Sequence, residues 1–332
     1  MYRLNLSLVF LIYAMFVGRS DFAQGDACLH RTIPVTVVDS ASRPVQTLAA
    51  GDFQGKFRGK PVEILGVTRD IHPRRILILL DVSGSMLENE DEKWRMVLEI
   101  AGDAVANLPA NVQIALSIFD EKIEDTLGFS TGRRDIAEKI IALKSGTKAV
   151  RSKNRTTALW DSLSNAISIF GPSGSGDSVY LISDGGDNRS KIGPRQAQEA
   201  FLHMGIRLFS FLLISRSYLG YLMPDEQEGL KALKEFTAAT GGAYTVLATG
   251  GKTGRSVFVL GKDVKEAVAR QALHIYVQML ERSWVEINLP VSVDKPREWT
   301  LELNRSKGAG FKDFELLYPH DLLPCSAPPY AN

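Results

Sequence analysis

The sequence predicts an α/β protein: a Rossmann-like, doubly wound and mostly parallel sheet with a flanking β subdomain from both chain ends. First, Ile76–Leu80 is an unbroken apolar run, too short for a normal helix and typical of a strand buried on both faces. Second, strand and helix patterns alternate from that run to about residue 250, which indicates a parallel sheet covered on both sides. Third, short strand patterns separated by turns lie before and after this region.

The composition is that of an ordinary globular protein. The 332 residues are 45% apolar and 23% charged, and this length allows one large domain or about two or three smaller ones. The net charge of +1 argues against a nucleic-acid-binding protein, which usually carries a clear basic excess. Basic clusters at Arg133-Arg134 and at residues 148–155 are interpreted as solvated surface, since no aromatic residues are interleaved with them.

Residues 1–25 have the pattern of a secretory signal peptide. Arg3 precedes an apolar segment at residues 8–17, and Ala23 and Gly25 place small residues at positions −3 and −1 of a cut after Gly25. The apolar segment is shorter than the roughly 20 residues that span a bilayer, although an uncleaved anchor is the alternative. We therefore expect a secreted or periplasmic protein, and the later sequence predicts no transmembrane segment.

The two cysteines, Cys28 and Cys325, stand near opposite ends of the chain. In an oxidising compartment a disulfide between them would tie the terminal segments together and close a very long loop. Two free thiols in mobile tails are the alternative. Lipid attachment at Cys28 is not expected, because Gly25-Asp-Ala-Cys28 lacks the aliphatic residue of such a signal and contains an acid.

The α/β region is predicted from hydrophobic periodicity. For example, Trp94, Val97, Leu98 and Ala101 recur at three- and four-residue intervals, which predicts a helix. Helices are expected over residues 91–108, 136–143, 157–170, 194–204 and 226–240. Strands are expected over residues 76–81, 111–120, 125–129, 179–184, 207–214 and 243–247.

The flanking segments are predicted to be largely strands. Residues from about 33 to 68 lack helical periodicity and suit three or four antiparallel strands. Toward the C-terminus, Asp263 and Glu266 resemble a capping box that opens a helix to about Leu273. Strands are then expected over residues 275–280, 284–289, 299–303 and 311–318. The expected organisation is a signal peptide (1–25), an N-terminal β segment (33–72), the α/β domain (74–250), a C-terminal helix and β segment (255–320) and a disordered tail (322–332).

The loop after the first buried strand carries the clearest chemical signal. Asp81, Ser83 and Ser85 follow the apolar run at alternating positions, and the glycine between the serines allows a tight turn. No base lies near them in sequence, so they make a poor nucleophilic site. A carboxylate and two hydroxyls are instead ligands that a hard cation prefers. A structural role, in which the acids cap loops and the hydroxyls satisfy backbone groups without metal, is the alternative.

This Asp-x-Ser-x-Ser loop resembles the metal-ion-dependent adhesion site of von Willebrand factor type A domains. That family also uses a threonine from a second loop and an aspartate from a third, and Thr157 and Asp184 occur in that order, near a helix start and a strand end. Ligands of doubly wound sheets bind beyond the carboxyl ends of strands. The resemblance implies Mg²⁺, with Mn²⁺ or Ca²⁺ as alternatives, and a partner protein whose Asp or Glu completes the coordination shell.

The resemblance also implies a role for each ligand. Ser83 and Ser85 are expected to bind the ion directly and Thr157 switchably, while Asp81 and Asp184 bind it directly or through water. Thr156 is the alternative to Thr157, and Asp187 is expected behind the ligands.

One departure from the family concerns the residues before the threonine. The family usually has glycines there, whereas this chain has Asn154, Arg155 and Thr156. The Arg155 guanidinium is expected either to repel the ion or to reach a partner's carboxylate.

The N-terminal segment resembles that of a subgroup of secreted bacterial proteins, the acidobacterial-type VWFA-related family. The subgroup pattern V-x-D…P-V…L…D-F is matched by Val38, Asp39, Pro44, Val45, Leu48, Asp52 and Phe53. In that subgroup the C-terminal β segment packs with the N-terminal one.

Three classes of function compete. The leading one is a non-enzymatic, metal-dependent binding module, and the second is a structural component of an envelope assembly in which the metal is dispensable. A metal-dependent hydrolase is less favoured, because the five histidines are scattered without a metal-spaced pair. The segment Gly250–Thr253 is not a P-loop, since Val246 stands where that motif needs glycine. The sequence leaves the partner and the oligomeric state open.

Overall fold

The structure is a computed structural model. It describes residues 28–45, 47–87, 91–145, 156–171, 176–216, 224–250, 262–304 and 313–325. The predicted signal peptide and the Asn154-Arg155 pair lie outside these ranges. Among the described helices, none combines the length and apolar character needed to cross a bilayer.

Strands and helices follow one another along the chain. The strands are β1 (His30–Val38), β2 (Phe53–Phe57), β3 (Lys60–Arg69), β4 (Arg75–Asp81), β5 (Gln113–Phe119), β6 (Ile123–Leu127), β7 (Ser178–Ser183), β8 (Arg207–Arg216), β9 (Tyr244–Gly250), β10 (Ser283–Asn288), β11 (Arg297–Glu298), β12 (Thr300–Leu303), β13 (Glu315–Leu317) and β14 (Asp321–Leu322). The helices are α1 (Gly84–Leu87), α2 (Asp91–Asn107), α3 (Arg133–Ser145), α4 (Leu159–Ala166), α5 (Pro194–Met204), α6 (Pro224–Ala239) and α7 (Lys262–Leu280).

The central sheet has the order β6-β5-β4-β7-β8-β9. All neighbours pair in parallel except β6, which is antiparallel to β5 at one edge. From β4 the chain first builds one side of the sheet and then returns to build the other from β7 onward. The gap between the ends of β4 and β7 is therefore the topological switch point, where sheets of this kind bind ligands. The predicted fold class is confirmed.

Strand β4 is buried on both faces because its side chains alternate between two cores. Ile76, Ile78 and Leu80 pack in the core that contains α2, α3 and α7. Leu77 and Leu79 pack in the core that contains α4, α5 and α6. Burying each such side chain stabilises the fold by about 1.5–3 kcal/mol relative to exposure, so the apolar run anchors the strand that leads into Asp81.

The second sheet is antiparallel and has the order β12-β2-β3-β10-β1-β13. Strand β10, from the C-terminal part of the chain, lies between β1 and β3 and pairs Asn288 with His30. Its core includes Val35, Phe57, Val285 and Trp299. The flanking β subdomain is thus built from both chain ends, as the sequence predicts.

A disulfide joins Cys28 to Cys325, whose Cα atoms lie 5.6 Å apart across a sequence separation of 297 residues. Close to it, β14 pairs with β11. Strand β14 includes Leu322, the first residue of the predicted tail, and this side chain is buried.

The predicted strand at residues 275–280 is wrong, because α7 continues through it to Leu280. Ala272, Ile275, Tyr276 and Met279 are all buried in the same core. Their spacing of three and four residues is helical, and it extends the pattern of the preceding residues. The β-branched and aromatic residues of this short stretch favour a strand only when the stretch is read alone.

Charged side chains gather where the two sheets meet, at the amino ends of the parallel strands. This amino-end cluster consists of Asp70, Arg74, Arg75, Asp177, Arg207 and Arg282. Asp70 Oδ2 accepts hydrogen bonds from Arg74 Nη1 at 3.1 Å and from Arg282 Nε at 2.7 Å. Arg75 Nε donates to Asp177 Oδ1 at 2.8 Å. The cluster joins the start of β4 to the junctions beside β3 and α7.

Candidate metal centre

Two buried carboxylates converge at the switch point. Asp81 is the last residue of β4 and Asp184 directly follows β7, and these strands are neighbours with Leu80 opposite Ile182. Both aspartates are fully buried. The Ser183 hydroxyl donates to Asp81 Oδ2 at 2.6 Å, so the end of one strand fixes the acid at the end of the other.

The first loop turns its hydroxyls toward each other. The Ser83 N–H donates to Asp81 Oδ1 at 2.9 Å, and the Ser83 and Ser85 hydroxyl oxygens lie 3.2 Å apart. The Val82 N–H donates to the Phe119 carbonyl at 2.8 Å, which holds the loop against β5. Three predicted oxygen donors therefore lie in one turn.

The second loop is tied to the third through Thr157. This residue is buried, its N–H donates to Asn188 Oδ1 at 2.9 Å, and its carbonyl accepts the N–H groups of Asn188 and Arg189. Helix α4 has Ala158 at its N-cap position, so Thr157 is not the N-cap residue. The Thr156 hydroxyl donates to Glu121, which favours Thr157 as the residue that faces the site.

The third loop is shaped by close backbone packing. Asp184 Oδ1 accepts the Gly186 N–H at 3.2 Å, and Gly185 has a left-handed φ of +85°. A Cβ on Gly229 of α6 would lie 1.7 Å from the Gly185 carbonyl oxygen, so α6 touches this loop backbone to backbone. Asp187 accepts the Leu159 N–H at 2.8 Å and supports the start of α4.

A lysine that belongs to none of the sequence motifs enters the site from α2. Lys93 Nζ donates to Asp184 Oδ2 at 3.3 Å and to the Ser85 carbonyl at 3.2 Å. Only 2% of this residue is exposed. One ammonium group thus bridges the first and third loops.

Among the described residues, the site sets two carboxyl groups against one ammonium group. Burial raises the pKa of Asp81, the neighbouring Asp184 raises it further, and hydrogen bonds from Ser183 and Ser83 only partly oppose the rise. Lys93 provides one positive charge against the two carboxylates. This electrostatic environment favours an additional cation.

The donor set suits a hard divalent ion. Mg²⁺ prefers oxygen ligands and is commonly held by one or two carboxylates, and Asp81 and Asp184 are two buried carboxylates beside the hydroxyls of Ser83 and Ser85. In the described ranges no group of three or more His, Cys, Asp or Glu side chains could hold a metal ion.

Fold and site together define a doubly wound α/β domain with an oxygen-rich site at its switch point. Residues 76–187 match the family model for the von Willebrand factor type A domain. The matched range begins in β4 and ends at Asp187, so it contains the predicted ligands of all three loops. The chain therefore contains a von Willebrand factor type A domain.

Solved structures resemble the chain at low sequence identity. BatB from Bacteroides thetaiotaomicron is 15% identical over 62% of this chain and 99% of its own, with a TM-score of 0.44. Proximal thread matrix protein 1 from the mussel byssus, with a zinc-occupied MIDAS motif, is 18% identical over 66% of this chain and 49% of its own, with a TM-score of 0.45. A von Willebrand factor type A protein from Catenulispora acidiphila is 13% identical over 90% of this chain and 74% of its own, with a TM-score of 0.44.

These similarities carry no argument about function. The chain also spans only about half the length of the mussel protein. No curated protein matches the sequence.

Proposed function

We propose that this protein is a secreted or periplasmic, non-enzymatic binding module that recognises an acidic side chain of a partner protein through a divalent metal ion. The observation that carries the proposal is the convergence of two fully buried carboxylates, Asp81 and Asp184, at the switch point of the sheet. Buried carboxylates are expensive without a cation, and Lys93 neutralises only one of them.

Each of the three loops would contribute ligands to the ion. Asp81 and Asp184 supply the negative charge, the hydroxyls of Ser83 and Ser85 supply neutral ligands, and Thr157 supplies another from the second loop. When bound, Mg²⁺ would offer an open coordination position to the carboxylate of a partner's Asp or Glu. The protein itself orients these oxygens through β4, β7 and the backbone bonds between its loops.

Export is part of the proposal. The Cys28–Cys325 disulfide supports an oxidising compartment, and the signal-peptide pattern of residues 1–25 points the same way. The N-terminal sequence pattern supports membership of the secreted acidobacterial-type subgroup. Mass spectrometry of the mature protein under non-reducing conditions tests this, with cleavage near Gly25 and an intact disulfide as the expected result.

Metal binding is tested first, without any partner. Calorimetric titration of the wild-type protein with Mg²⁺ and Mn²⁺ is expected to show one site, and Asp81→Ala or Ser83→Ala is expected to abolish it with the fold retained by circular dichroism. A wild-type protein that binds neither ion contradicts the proposal.

Recognition of acidic groups is tested with peptides. Peptides that carry Asp or Glu are compared with the same peptides carrying Asn or Gln, on immobilised wild-type and Asp184→Ala protein. Binding of the acidic set only, in Mg²⁺ and not in EDTA, is the expected result. Peptide capture that is unchanged by EDTA and by the Asp184 substitution would favour the envelope-scaffold alternative.

A further inference from the structure

Lys93 is buried at the centre of the site, which is unusual for a lysine. It lies in the first turn of α2, and 2% of the residue is exposed, whereas 42% of the side chain of Arg95, two positions further on, is exposed. Lysine is almost never fully buried unless it is paired. Its pairing with Asp184 and with the Ser85 carbonyl places a fixed positive charge between two of the three loops.

The ammonium group of Lys93 is hydrogen-bonded to an oxygen of Asp184, a carboxylate that the proposed metal site needs. Asp184 Oδ1 accepts the Gly186 N–H, and Asp184 Oδ2 accepts Lys93 Nζ. A protonated lysine has no lone pair and cannot serve as a metal ligand. A dication at the same oxygen would be strongly repelled by the ammonium, because charges interact most strongly in buried surroundings.

We infer that Lys93 is a built-in competitor of the metal ion and sets the metal affinity of the site. This inference rests on the proposed metal site. In the metal-free protein the ammonium neutralises Asp184 and joins the first loop to the third. Metal binding requires the long, flexible lysine side chain to leave Asp184, and the exchange replaces one positive charge with two beside Asp81 and Asp184.

The direct test removes the ammonium while keeping side-chain length. Lys93→Met is expected to bind Mg²⁺ at least tenfold more tightly than the wild-type protein in calorimetric titration. Arg95→Met is the matched control, because it removes one positive charge from the same helix at a side chain that pairs with Glu99 and is half exposed. The control is expected to bind Mg²⁺ with wild-type affinity.

Thermal unfolding provides a second readout that does not depend on partner binding. In EDTA, Lys93→Met is expected to unfold at a lower temperature than the wild-type protein, because Asp184 loses its counter-charge. Saturating Mg²⁺ is expected to raise the unfolding temperature of Lys93→Met more than that of wild type. Equal Mg²⁺-induced shifts in the two proteins count against the inference.

The outcomes separate this inference from the proposed function. If wild type and Lys93→Met bind Mg²⁺ equally well, the competitor role is wrong and the metal site stands. If neither binds Mg²⁺, the metal site itself is wrong, and the competitor role falls with it.

A labelling experiment on the wild-type protein remains decisive if Lys93→Met does not fold. Acetylation of lysines is followed by mass spectrometry in EDTA and in saturating Mg²⁺. Lys93 is expected to react slowly in EDTA and several-fold faster in Mg²⁺, whereas Lys56, which is exposed on β2, is expected to react alike in both. An unchanged Lys93 rate would overturn the inference.

Discussion

The two ends of the parallel sheet both carry buried charges, but with opposite balance. At the amino ends, four arginines accompany two aspartates, Asp70 and Asp177. At the carboxyl ends, within the part of the chain that the structure describes, Asp184 is paired with Lys93 and lies beside a second buried carboxyl group, Asp81. Among the described residues, one end therefore has more arginines than aspartates, and the other has more carboxyl groups than cationic groups.

The arginines at the amino end donate to backbone carbonyls and to one side-chain hydroxyl of the protein itself. Arg207 donates to the Met279 carbonyl and to the Thr36 hydroxyl, each at 3.0 Å, and Arg74 donates to the Leu280 carbonyl at 3.1 Å. Backbone carbonyls are abundant and already fixed in place, so a guanidinium with five donors can be bound largely within the protein, although Arg207 Nε is buried without a hydrogen-bond partner among the described residues. A pair of carboxylates needs a cation, and this difference is why the amino end is structural and the carboxyl end is the candidate site.

The largest effect on stability is expected from substitution of Asp70 in the amino-end cluster. Asp70→Asn leaves Arg74 and Arg282 buried without their counter-charge, and removing one partner of a buried ion pair typically costs about 3–5 kcal/mol of unfolding free energy. Urea unfolding measures the loss. Asp294→Asn is the control, since the Arg58–Asp294 pair is exposed and surface pairs contribute little. A small effect of Asp70→Asn would show that the amino-end cluster is dispensable.

The pH dependence of stability provides a second test of the amino-end cluster. Burial raises the pKa of Asp70, but hydrogen bonds from His72 and Arg282 outweigh it and lower the pKa to about 2. A carboxyl with a depressed folded-state pKa stabilises the fold fully above its unfolded value of 3.8. The stability difference between wild type and Asp70→Asn is therefore expected to shrink as pH falls from about 4 toward 2. Urea unfolding of both proteins across this pH range measures the difference in unfolding free energy. A difference that stays constant with pH would contradict the prediction.

At the carboxyl end the same kind of substitution is expected to act in the opposite direction. Asp81→Asn removes a charge that burial and Asp184 disfavour, so the metal-free protein is expected to gain roughly 1 kcal/mol of unfolding free energy while losing Mg²⁺ binding. Denaturant unfolding in EDTA and calorimetry measure the two effects. Destabilisation like that of Asp70→Asn would mean that both clusters are structural.

The smallest effect is expected at the second loop. Thr157→Val keeps the shape of the side chain and removes its hydroxyl, so Mg²⁺ affinity is expected to fall about tenfold, equivalent to about 1.4 kcal/mol. Thr156→Val is the matched control, because that hydroxyl donates to Glu121. Weaker binding in the control instead would assign the ligand to Thr156.

The parts of the site that follow strands were predictable from the sequence. Asp81 and Asp184 each follow a stretch whose apolar residues mark a buried strand, and parallel strands bring their carboxyl ends to one edge. The two acids lie close together because β4 and β7 are neighbouring parallel strands. The ligand roles of Ser83, Ser85 and Thr157 stay predictions that the metal titrations test.

Lys93 could not be found in this way. It stands in the charged run Asp91-Glu92-Lys93 at the start of a helix, a pattern typical of a solvated surface, and its partner Asp184 is 91 residues away. Arg207 was missed for the same reason, because it contacts Thr36 at a separation of 171 residues. Long-range pairings between single polar side chains leave no periodic signal, whereas buried apolar faces do.

The Cys28–Cys325 bond has a mechanical consequence. Tension applied to the chain on the outer sides of Cys28 and Cys325 is borne by this covalent link, because the residues between the two cysteines form a closed loop. The von Willebrand factor type A domain lies within the loop that the disulfide closes, so the chain through the domain does not bear this tension. Such tension therefore leaves the candidate site around Asp81 in its resting shape.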